Sequence, residues 1–454
     1  MKNLSLANIA AACGGRYVGT AQAASQEVTG IETDSRKVPE GGMFVAIKGE
    51  RVDGHKFIEQ VMQGGAATVL TEIDLGEKPY PYILVESTLQ AVKDIAEFYL
   101  KGLNIPVVGI AGSVGKTSTK EMTHSVLSQG FNALKTQGNF NNELGLPITI
   151  FRLRDEQLAV LEMGISDFGE MHRLAKVARP HTVIMTNIGC CHLENLIDRD
   201  GILRAKSEIF DFLEPGAHII LNGDDDKLAT VTEVRGIKPV TFGLDAKNDF
   251  WASDLRSLGL KGTACRIHTP VGDFDATVGM PGKHMVYNAL AGAAAGVAYG
   301  LTLEQIKAGI ESNGSLAGRF NIIDTERYTI IDDCYNANPV SMKASLEVLQ
   351  DGANRRVAIL GDMGELGTDE RALHAGVGTY AAGLDLDAIY CAGPLCEALV
   401  QAAVDGGFKG EVKHYATRDD LMAALPTLLQ QGDTILVKAS HFMQFPAIVE
   451  MLKG

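Results

Sequence analysis

A short glycine-rich loop between an apolar strand and a helix restricts the fold of this chain more than any other feature. The loop is Gly112-Ser113-Val114-Gly115-Lys116-Thr117, after apolar residues 107–111 and before a predicted helix over residues 116–129. Backbone N–H groups of such a loop converge on phosphate oxygens, and the helix N-terminus adds partial positive charge. Lys116 can reach the terminal phosphates, and the Thr117 hydroxyl can bind Mg²⁺. This context favours a P-loop for a nucleoside triphosphate over a simple glycine-rich turn.

Strands and helices alternate after this loop, which predicts right-handed βαβ units and a largely parallel sheet. Further strands are predicted in LAVLEMG, TVIMTNIG and HIILNGDD, the last after a helix over 205–213. Between about residues 250 and 278, polar and apolar residues alternate around glycines, which predicts an antiparallel appendage. A second alternating series begins near Ala317 and predicts a separate open sheet of about five strands.

Chain length and these changes of pattern predict an α/β protein with three domains. The 454 residues are about three times the length of a typical domain. The predicted bounds are residues 1–84, 85–313 and 314–454. A short helix near the N-terminus and a helix from about Thr88 to Leu100 are also predicted.

Charge and composition exclude several classes of function. Lys and Arg number 41 and Asp and Glu 56, a formal net charge of −15. Binding to nucleic acid or anionic membranes needs a basic field, so neither partner is expected. No apolar run reaches the ~18 residues of a membrane span, so no membrane insertion is expected. The seven cysteines are scattered and lack metal-site spacing, which favours a reducing, cytoplasmic location.

Two polar residues follow predicted strands close to the loop. Glu162 ends LAVLE, and His192 comes just after TVIMTNIG. Alone, Glu162 could equally be a helix cap, and a lone histidine is more often a structural residue. Beside a P-loop, however, both can help to hold Mg²⁺ during phosphoryl transfer, with His192 the weaker because Mg²⁺ prefers oxygen ligands.

Three asparagines lie between glycines in TQGNFNNELGLP. Asn139, Asn141 and Asn142 offer neutral donors and acceptors suited to a polar substrate, although turn formation alone also favours Asn. Lys206, on a predicted helix, would by itself be a solvated charge.

The segment DDCYNANPVSM starts at a strand end of the second α/β series. Asp332, Asp333, Tyr335 and Asn336 can bind a ribose or the edge of a base across a gap between domains. An ordinary strand-to-helix turn is equally consistent with the segment. The adjacent Cys190 and Cys191 are interpreted as buried small side chains, since no activating base is evident in the sequence.

The ordered set of motifs resembles one enzyme family. GSVGKT, TQGNFNNELGLP, LEMG with GEM, TNIGCCHLENL, AKSEIF, MPGKHMVYNALAGAA, GRF and DDCYNANPVSM resemble the motifs of the ATP-dependent Mur ligases, and DSRKVPEGGMFVAIKGERVDGHKF extends the resemblance to the N-terminus. The resemblance covers essentially the whole chain. It implies a small α/β domain for a UDP-linked substrate, a central P-loop ATPase domain with a parallel sheet, and a C-terminal Rossmann-like α/β domain.

The resemblance also implies an activity, substrates and cofactors. It implies an amide ligase that joins D-alanyl-D-alanine to UDP-N-acetylmuramoyl-tripeptide through an acyl phosphate, with ATP, two Mg²⁺ ions and a carbamylated Lys206. A monomer is expected. Alternatives are a sister Mur ligase, a folylpolyglutamate synthetase-like enzyme or, in another class, a P-loop regulator that does not ligate. No residue decides whether the third residue of the tripeptide is diaminopimelate or lysine.

Individual roles follow from the motif positions. The resemblance implies ATP contacts for residues Gly112, Ser113, Val114, Gly115, Lys116, Thr117, Ser118, Asn288, Arg319, Asp333, Tyr335 and Asn336. It implies metal ligands in Thr117, Glu162, His192 and carbamylated Lys206, and, with Lys116, the last three form the implied catalytic set. Ser35, Arg36, Asp53, His55 and Phe57 are expected to contact the UDP-linked substrate. In KASHFMQF, Ala439 and His441 replace a glycine and an arginine of the family, so a charged contact is expected to be absent or supplied elsewhere.

Overall fold

Three separate β-sheets, each packed against helices, organise the chain. The computed structural model describes residues 1–49, 52–189, 191–313 and 319–454. The predictions that involve Cys190, Ala317 and Gly318 lie outside the described residues. Within them, sheets of five, nine and six strands confirm the predicted three-domain α/β architecture.

The N-terminal sheet is mixed and small. Its elements and the helix that follows are α1 (Leu6–Ala12), β1 (Arg16–Val18), α2 (Ala21–Ala24), β2 (Ile31–Glu32), β3 (Met43–Val45), α3 (Ile58–Gln63), β4 (Thr68–Thr71), β5 (Tyr82–Leu84) and α4 (Thr88–Leu103). The strand order is β1-β5-β4-β3-β2, and β1 alone is antiparallel to its neighbour. The predicted first helix and the helix from Thr88 are confirmed.

The central sheet carries the glycine-rich loop. Its elements are β6 (Val107–Ala111), α5 (Lys116–Leu127), β7 (Ala133–Lys135), α6 (Gly145–Ile150), β8 (Leu158–Glu162), α7 (Glu170–Ala178), β9 (Thr182–Met185), α8 (Leu193–Leu196), α9 (Arg199–Ser207), β10 (His218–Asn222), β11 (Val240–Gly243), β12 (Phe250–Ser257), β13 (Thr263–Thr269), β14 (Gly272–Val278), α10 (Lys283–Ala298) and α11 (Leu303–Glu311). The helix predicted over 205–213 is displaced, because α9 ends at Ser207 and a 3-10 turn over Glu208–Phe210 follows.

The order of the central strands explains where a ligand can bind. The order is β14-β13-β12-β11-β10-β9-β6-β8-β7, and β6 lies between β8 and β9, parallel to both. After β6 the chain forms β7 and β8 on one side of that strand and then β9 on the other side. In open α/β sheets, ligands bind outside the carboxyl ends of the strands at such a point.

The antiparallel appendage is confirmed, but it is not separate. Strand β13 is antiparallel to both β12 and β14, while β12 pairs in parallel with β11. The hairpins therefore extend the central sheet at its edge. The Ala and Gly content of helix α10 predicts close packing on the sheet, and the helix lies against β10, β11 and β12. It also packs closely on α5, where a Cβ on Gly292 would lie only 3.1 Å from Cγ of Met122.

The C-terminal domain is a six-stranded, mostly parallel sheet. Its elements are β15 (Asn321–Asp324), β16 (Thr329–Asp332), α12 (Pro339–Gln350), β17 (Arg356–Gly361), α13 (Glu370–Ala382), β18 (Ala388–Ala392), α14 (Cys396–Asp405), β19 (Glu411–Tyr415), α15 (Arg418–Leu428), β20 (Thr434–Lys438) and α16 (Pro446–Lys453). The order is β15-β16-β20-β17-β18-β19. All five predicted strands are present; the sequence missed β15, an antiparallel edge strand that is largely half-buried and has no apolar run.

None of the described helices is long and apolar enough to cross a membrane.

A close approach between helices α5 and α11 gives a test of this packing. A Cβ on Gly309 would lie 2.4 Å from Cα of Val126, whereas one on exposed Gly376 of α13 meets no described atom within 4 Å. Overpacking should make Gly309→Ala less stable by about 1–3 kcal/mol. Gly376→Ala should be more stable by about 0.5–1 kcal/mol through helix propensity. Thermal unfolding of both variants checks this; a Gly309→Ala protein that melts with the parent would contradict the packing.

Candidate functional site

A cavity of about 930 Å³ lies between the central and C-terminal domains, at the carboxyl ends of the central strands. It is lined by the loop into α5, the asparagine loop before α6, the ends of β8 to β11, the start of α10 and the segment between β16 and α12. The predicted site residues that line it are Ser113, Val114, Gly115, Lys116, Thr117, Ser118, Asn139, Asn141, Asn142, Glu162, His192, Asn288, Arg319, Asp333, Tyr335 and Asn336. Residues far apart in the sequence therefore meet in one space.

The loop over residues 112–117 is held in place by the end of β9. Gly112 has φ +147°, and a Cβ there would lie 1.9 Å from Oγ1 of Thr186, so a larger side chain does not fit. Asn187 Oδ1 accepts a hydrogen bond from the backbone N–H of Val114 at 2.9 Å. The Nζ of Lys116 donates to the carbonyl of Gly112 at 2.9 Å. Asn187 was not predicted from the sequence, although its place directly after a strand beside the loop was a usable signal.

Glu162 lies next to Thr117, as the sequence predicts. Its carboxylate is 2% exposed; one oxygen accepts from Oγ1 of Thr117 at 2.9 Å and the other from Nδ2 of Asn141 at 2.8 Å. The ammonium of Lys120 lies 3.8 Å from Glu162 and 3.1 Å from Glu121. Lys120 was also missed; it lies one helical turn after Lys116, on the same face of α5.

His192 also lines the cavity and contacts the C-terminal domain. Its Nδ1 lies 3.1 Å from Oε2 of Glu365, and this contact lowers the pKa of Glu365. The two domains therefore touch across the mouth of the cavity.

Lys206 is buried behind the cavity and is not among the residues that line it. Its side chain is 1% exposed, so the solvated-charge interpretation is wrong. Burial lowers its pKa to about 8, assisted by the charge of Lys116 and opposed by Cys191. Within the described ranges, no carboxylate lies at ion-pair distance from its ammonium. Such an amine is neutral at a lower pH than an ordinary lysine.

The side chains present fit Mg²⁺ in part. A threonine hydroxyl and a carboxylate are hard oxygen ligands, and Mg²⁺ commonly uses one or two carboxylates together with substrate phosphates and water. Thr117 and Glu162 provide such a pair beside the loop. Among the described residues, no group of three or more His, Cys, Asp or Glu side chains is arranged to hold a metal. Protein side chains alone therefore do not form a complete cage.

Two residues of the asparagine loop make contacts within the protein, and a third is exposed to the cavity. Asn141 binds Glu162, and Oδ1 of Asn142 accepts from the N–H of Gly145 at 2.8 Å, which fixes the start of α6. Asn139 is exposed and lines the cavity. Lys93 of α4 reaches the same wall and pairs with Glu143 at 2.8 Å.

The predicted N-terminal substrate residues are not brought to this cavity. Ser35 and Arg36 lie on a loop of the first domain, and Asp53 caps the 3-10 turn over Gly54–Phe57 that contains His55 and Phe57; none of the five is among the described lining residues. The carboxylate of Asp53 accepts from Nδ1 of His55 at 2.7 Å, and Arg36 is exposed and pairs with Asp34 at 2.8 Å.

The segment after β16 is held by a buried lysine from the end of β20. Lys438 is 2% exposed, and its Nζ lies 2.5 Å from Oδ2 of Asp333 and 3.0 Å from the carbonyl of Asn336. Ser345 also donates to the Asp333 carboxylate, at 2.7 Å. Both partners of the Asp333 carboxylate therefore belong to the C-terminal domain. Lys438 is the first residue of KASHFMQF, and its charge is paired with Asp333.

Helix α10 presents Asn288 and His284 to the cavity on one face. Oδ1 of Asn288 accepts from Thr119 at 2.8 Å, next to the phosphate-loop helix. His284 lies against Phe320, with ring centroids 4.7 Å apart. Its Nε2 is buried without a hydrogen-bond partner among the described residues, and burial lowers its pKa to about 4. His284 is therefore neutral at physiological pH.

Family models match along most of the chain. The Mur ligase middle domain matches residues 110–296, the glutamate ligase domain of Mur ligases matches residues 318–441, and the model described as Mur ligase family, catalytic domain, matches residues 27–108. The loop, Glu162, His192 and Asn288 all lie within the first of these ranges.

Relatives and solved structures match over nearly the full length. Two relatives named UDP-N-acetylmuramoyl-tripeptide–D-alanyl-D-alanine ligase are 36% identical: one from Bacillus subtilis (strain 168), covering 94% of this chain and 93% of the relative, and one from Escherichia coli (strain K12), covering 96% of each. The structure of MurF from Acinetobacter baumannii has a TM-score of 0.90 at 33% identity and covers 99% of this chain and 98% of its own. MurF ligase from Thermotoga maritima in complex with ADP has a TM-score of 0.82 at 29% identity, with 93% and 96% covered.

The half-buried imidazole of His284, whose Nε2 is fully enclosed, predicts a pH dependence of stability. An unfolded histidine has a pKa near ~6.5, above the folded value of about 4. Between these values the unfolded chain binds the extra proton, so stability is intact above pH ~6.5 and falls as the pH is lowered towards 4. At pH 5 this residue should cost about 2 kcal/mol. Calorimetry at pH 7.5 and 5 should show a larger fall in Tm for the parent than for His284→Gln, and equal falls would contradict the assignment.

Proposed function

This chain belongs to the Mur ligase family, and from that premise we propose that it joins D-alanyl-D-alanine to UDP-N-acetylmuramoyl-tripeptide, with conversion of ATP to ADP and phosphate. The observation that carries the proposal is that the phosphate loop, Glu162 and Arg319 of the C-terminal domain line the same cavity. One space shared by two domains suits a reaction in which an activated intermediate must be protected from water. The product is an amide-linked precursor of peptidoglycan.

ATP is held mainly by the loop. We assign the backbone N–H groups of residues 115–117, at the N-terminus of α5, to the phosphates. The N–H groups of Ser113 and Val114 donate to Asn187, and the Thr186 hydroxyl donates to the Val114 carbonyl, so these contacts hold the loop before the nucleotide binds. Lys116, now resting on its own loop carbonyls, can turn to the terminal phosphates. Asn288 lies beside Gly115 of the loop. We assign its side chain to the adenine of ATP.

Two successive displacements complete the reaction. A terminal carboxylate oxygen of the tripeptide attacks the γ-phosphorus, ADP leaves, and an acyl phosphate forms. The amine of D-alanyl-D-alanine then attacks the acyl carbon, loses a proton, and the tetrahedral intermediate expels phosphate to leave an amide. The residues contribute position and charge: Lys116 and Arg319 neutralise the transferring phosphoryl group.

We assign the metal ligands to Thr117, Glu162, His192 and a carbamylated Lys206. Two Mg²⁺ ions at these ligands would neutralise phosphate charge. The burial of Lys206 supports the carbamate, since a neutral amine can add carbon dioxide and release a proton, which turns a buried cation into an oxygen ligand. The ammonium of Lys120 lies 3.8 Å from the Glu162 carboxylate and forms an ion pair with it.

The substrates divide between the cavity and the first domain. We assign Asn139, Asn141 and Asn142 to the peptide and acceptor end, where Asn139 is free to bind. Ser35, Arg36, Asp53, His55 and Phe57 are assigned as a group to the UDP-linked sugar. We expect the enzyme to act as a monomer in the cytoplasm, where nucleotide-linked precursors and reduced thiols occur together.

A panel of acceptor amines tests the proposed activity. With ATP, Mg²⁺ and UDP-N-acetylmuramoyl-tripeptide, ADP release and a new amide product by mass spectrometry should appear with D-alanyl-D-alanine. Lys116→Ala should lose at least about 100-fold in kcat, because a group that stabilises transferring charge is removed. Equal or better turnover with D-glutamate, diaminopimelate or lysine would favour a sister ligase, and nucleotide binding with no amide product would favour a regulator. The tripeptide should be supplied in both its diaminopimelate and its lysine forms.

Chemical rescue tests the carbamate. Lys206→Ala should be inactive and should regain part of its activity with a small carboxylate, such as acetate, that occupies the vacated place. Lys261→Ala, a change at an exposed lysine, should be active and insensitive to acetate. A Lys206→Ala protein with parental turnover would disprove the role of Lys206, and a variant that folds but is not rescued would disprove the carbamate.

A further inference from the structure

Arg319 faces the cavity with its charge available. Its guanidinium carbon lies 4.1 Å from the ring centroid of Tyr335, and both residues line the cavity. Within the described part of the chain, no carboxylate forms an ion pair with Arg319. A guanidinium stacked on an aromatic face keeps its N–H donors free at its edge, where they can form bidentate bonds to phosphate oxygens.

The backbone on both sides of Tyr335 is fixed. Buried Lys438 donates to the carbonyl of Asn336 at 3.0 Å and lies 3.4 Å from the carbonyl of Asp333, so one ammonium binds the chain on either side of the tyrosine. Ser440 holds the next residue, with its Oγ 3.2 Å from the carbonyl of Ala337. The position of the ring is therefore set by the end of β20, more than a hundred residues later in the chain.

The ring itself is held from a second direction. His441 meets it at an edge, with centroids 6.2 Å apart and an interplanar angle of 63°. The face of the ring remains for Arg319. Tyr335 is thus an aromatic surface held at its backbone and its edge, with the arginine on top.

We propose that Tyr335 is a positioning residue that holds Arg319 over the cavity through a cation–π contact. This inference rests on the proposed phosphate role of Arg319. It changes the role that the motif implies for Tyr335, from a direct nucleotide contact to a support for the arginine. Within KASHFMQF, Lys438 holds the backbone beside the tyrosine and His441 contacts its ring.

Graded fluorination of the ring separates the two roles. Fluorine removes negative charge from the face of the ring and changes its size little, so a cation–π contact weakens stepwise while packing is kept. In the full-length enzyme, Tyr335 is replaced by phenylalanine and by mono-, di- and trifluorophenylalanine. The dissociation constant of ATP by calorimetry and kcat with all substrates are measured for each.

Tyr335→Phe retains the ring face and lacks the hydroxyl, so it serves as the reference for the series. The trifluoro variant should bind ATP about 5-fold more weakly than Tyr335→Phe, with the intermediate variants in order, and Tyr335→Leu should lose about as much. In an Arg319→Met background, which removes the cation, the same series should give one constant affinity. A stepwise loss of ATP affinity with each added fluorine therefore indicates the cation–π contact. A ring with only a structural role would give no such trend.

The outcomes distinguish the two claims. If Arg319→Met binds and turns over like the parent, the phosphate role under the proposed function fails. If Arg319→Met is impaired but fluorination has no effect, or the same effect in both backgrounds, the positioning role of Tyr335 is wrong and the proposed function stands. A loss in Tyr335→Phe as large as in the trifluoro variant would show that the hydroxyl contacts the ligand, which also overturns the inference.

Discussion

The alignment of three parallel strands at the phosphate loop is the constraint on which the rest of the site depends. Strand β6 pairs with β8 and β9, and the register places Ile110 beside Glu162 and Ala111 beside Met185. The three strands therefore end at the same level of the sheet, and the residues that follow them lie close together. Glu162, Thr186 and Asn187 reach the loop for that reason, and the tight fit of Gly112 against Thr186 fixes the loop before any ligand binds.

Buried lysines define the electrostatics around this point, and they differ in how they are neutralised. Lys438 pairs with Asp333, and Lys120 pairs with Glu121 and lies near Glu162. Lys206 has no comparable carboxylate among the described residues, and its pKa is lowered to about 8. Burying an unpaired charge is costly. The carbamate that we propose for Lys206 would convert this amine into an anion, and so would remove the unpaired cation and supply an oxygen ligand.

The parts of the site that lie within one short stretch of sequence could be predicted from motifs and hydrophobic pattern. The loop, the strand before it and the helix after it follow from about twenty consecutive residues, and Glu162 follows from its place at a strand end. The ion pair of Asp333 with Lys438 could not be predicted, because the two residues are 105 positions apart and the pairing of β16 with β20 brings them together. The burial of Lys206 was hidden for a similar reason: helix periodicity shows which residues share a face, not which face other elements cover. The edge strand β15 carries no apolar run and left no signal.

The central claim is that the carboxylate of the tripeptide is activated by phosphorylation in the cavity shared by two domains. The most direct test uses UDP-N-acetylmuramoyl-tripeptide with both oxygens of its terminal carboxylate labelled with ¹⁸O, incubated with the enzyme, ATP, Mg²⁺ and D-alanyl-D-alanine. Attack of that carboxylate on the γ-phosphorus predicts that each inorganic phosphate released carries one ¹⁸O, read by mass spectrometry. Amide product accompanied by unlabelled phosphate would contradict the account.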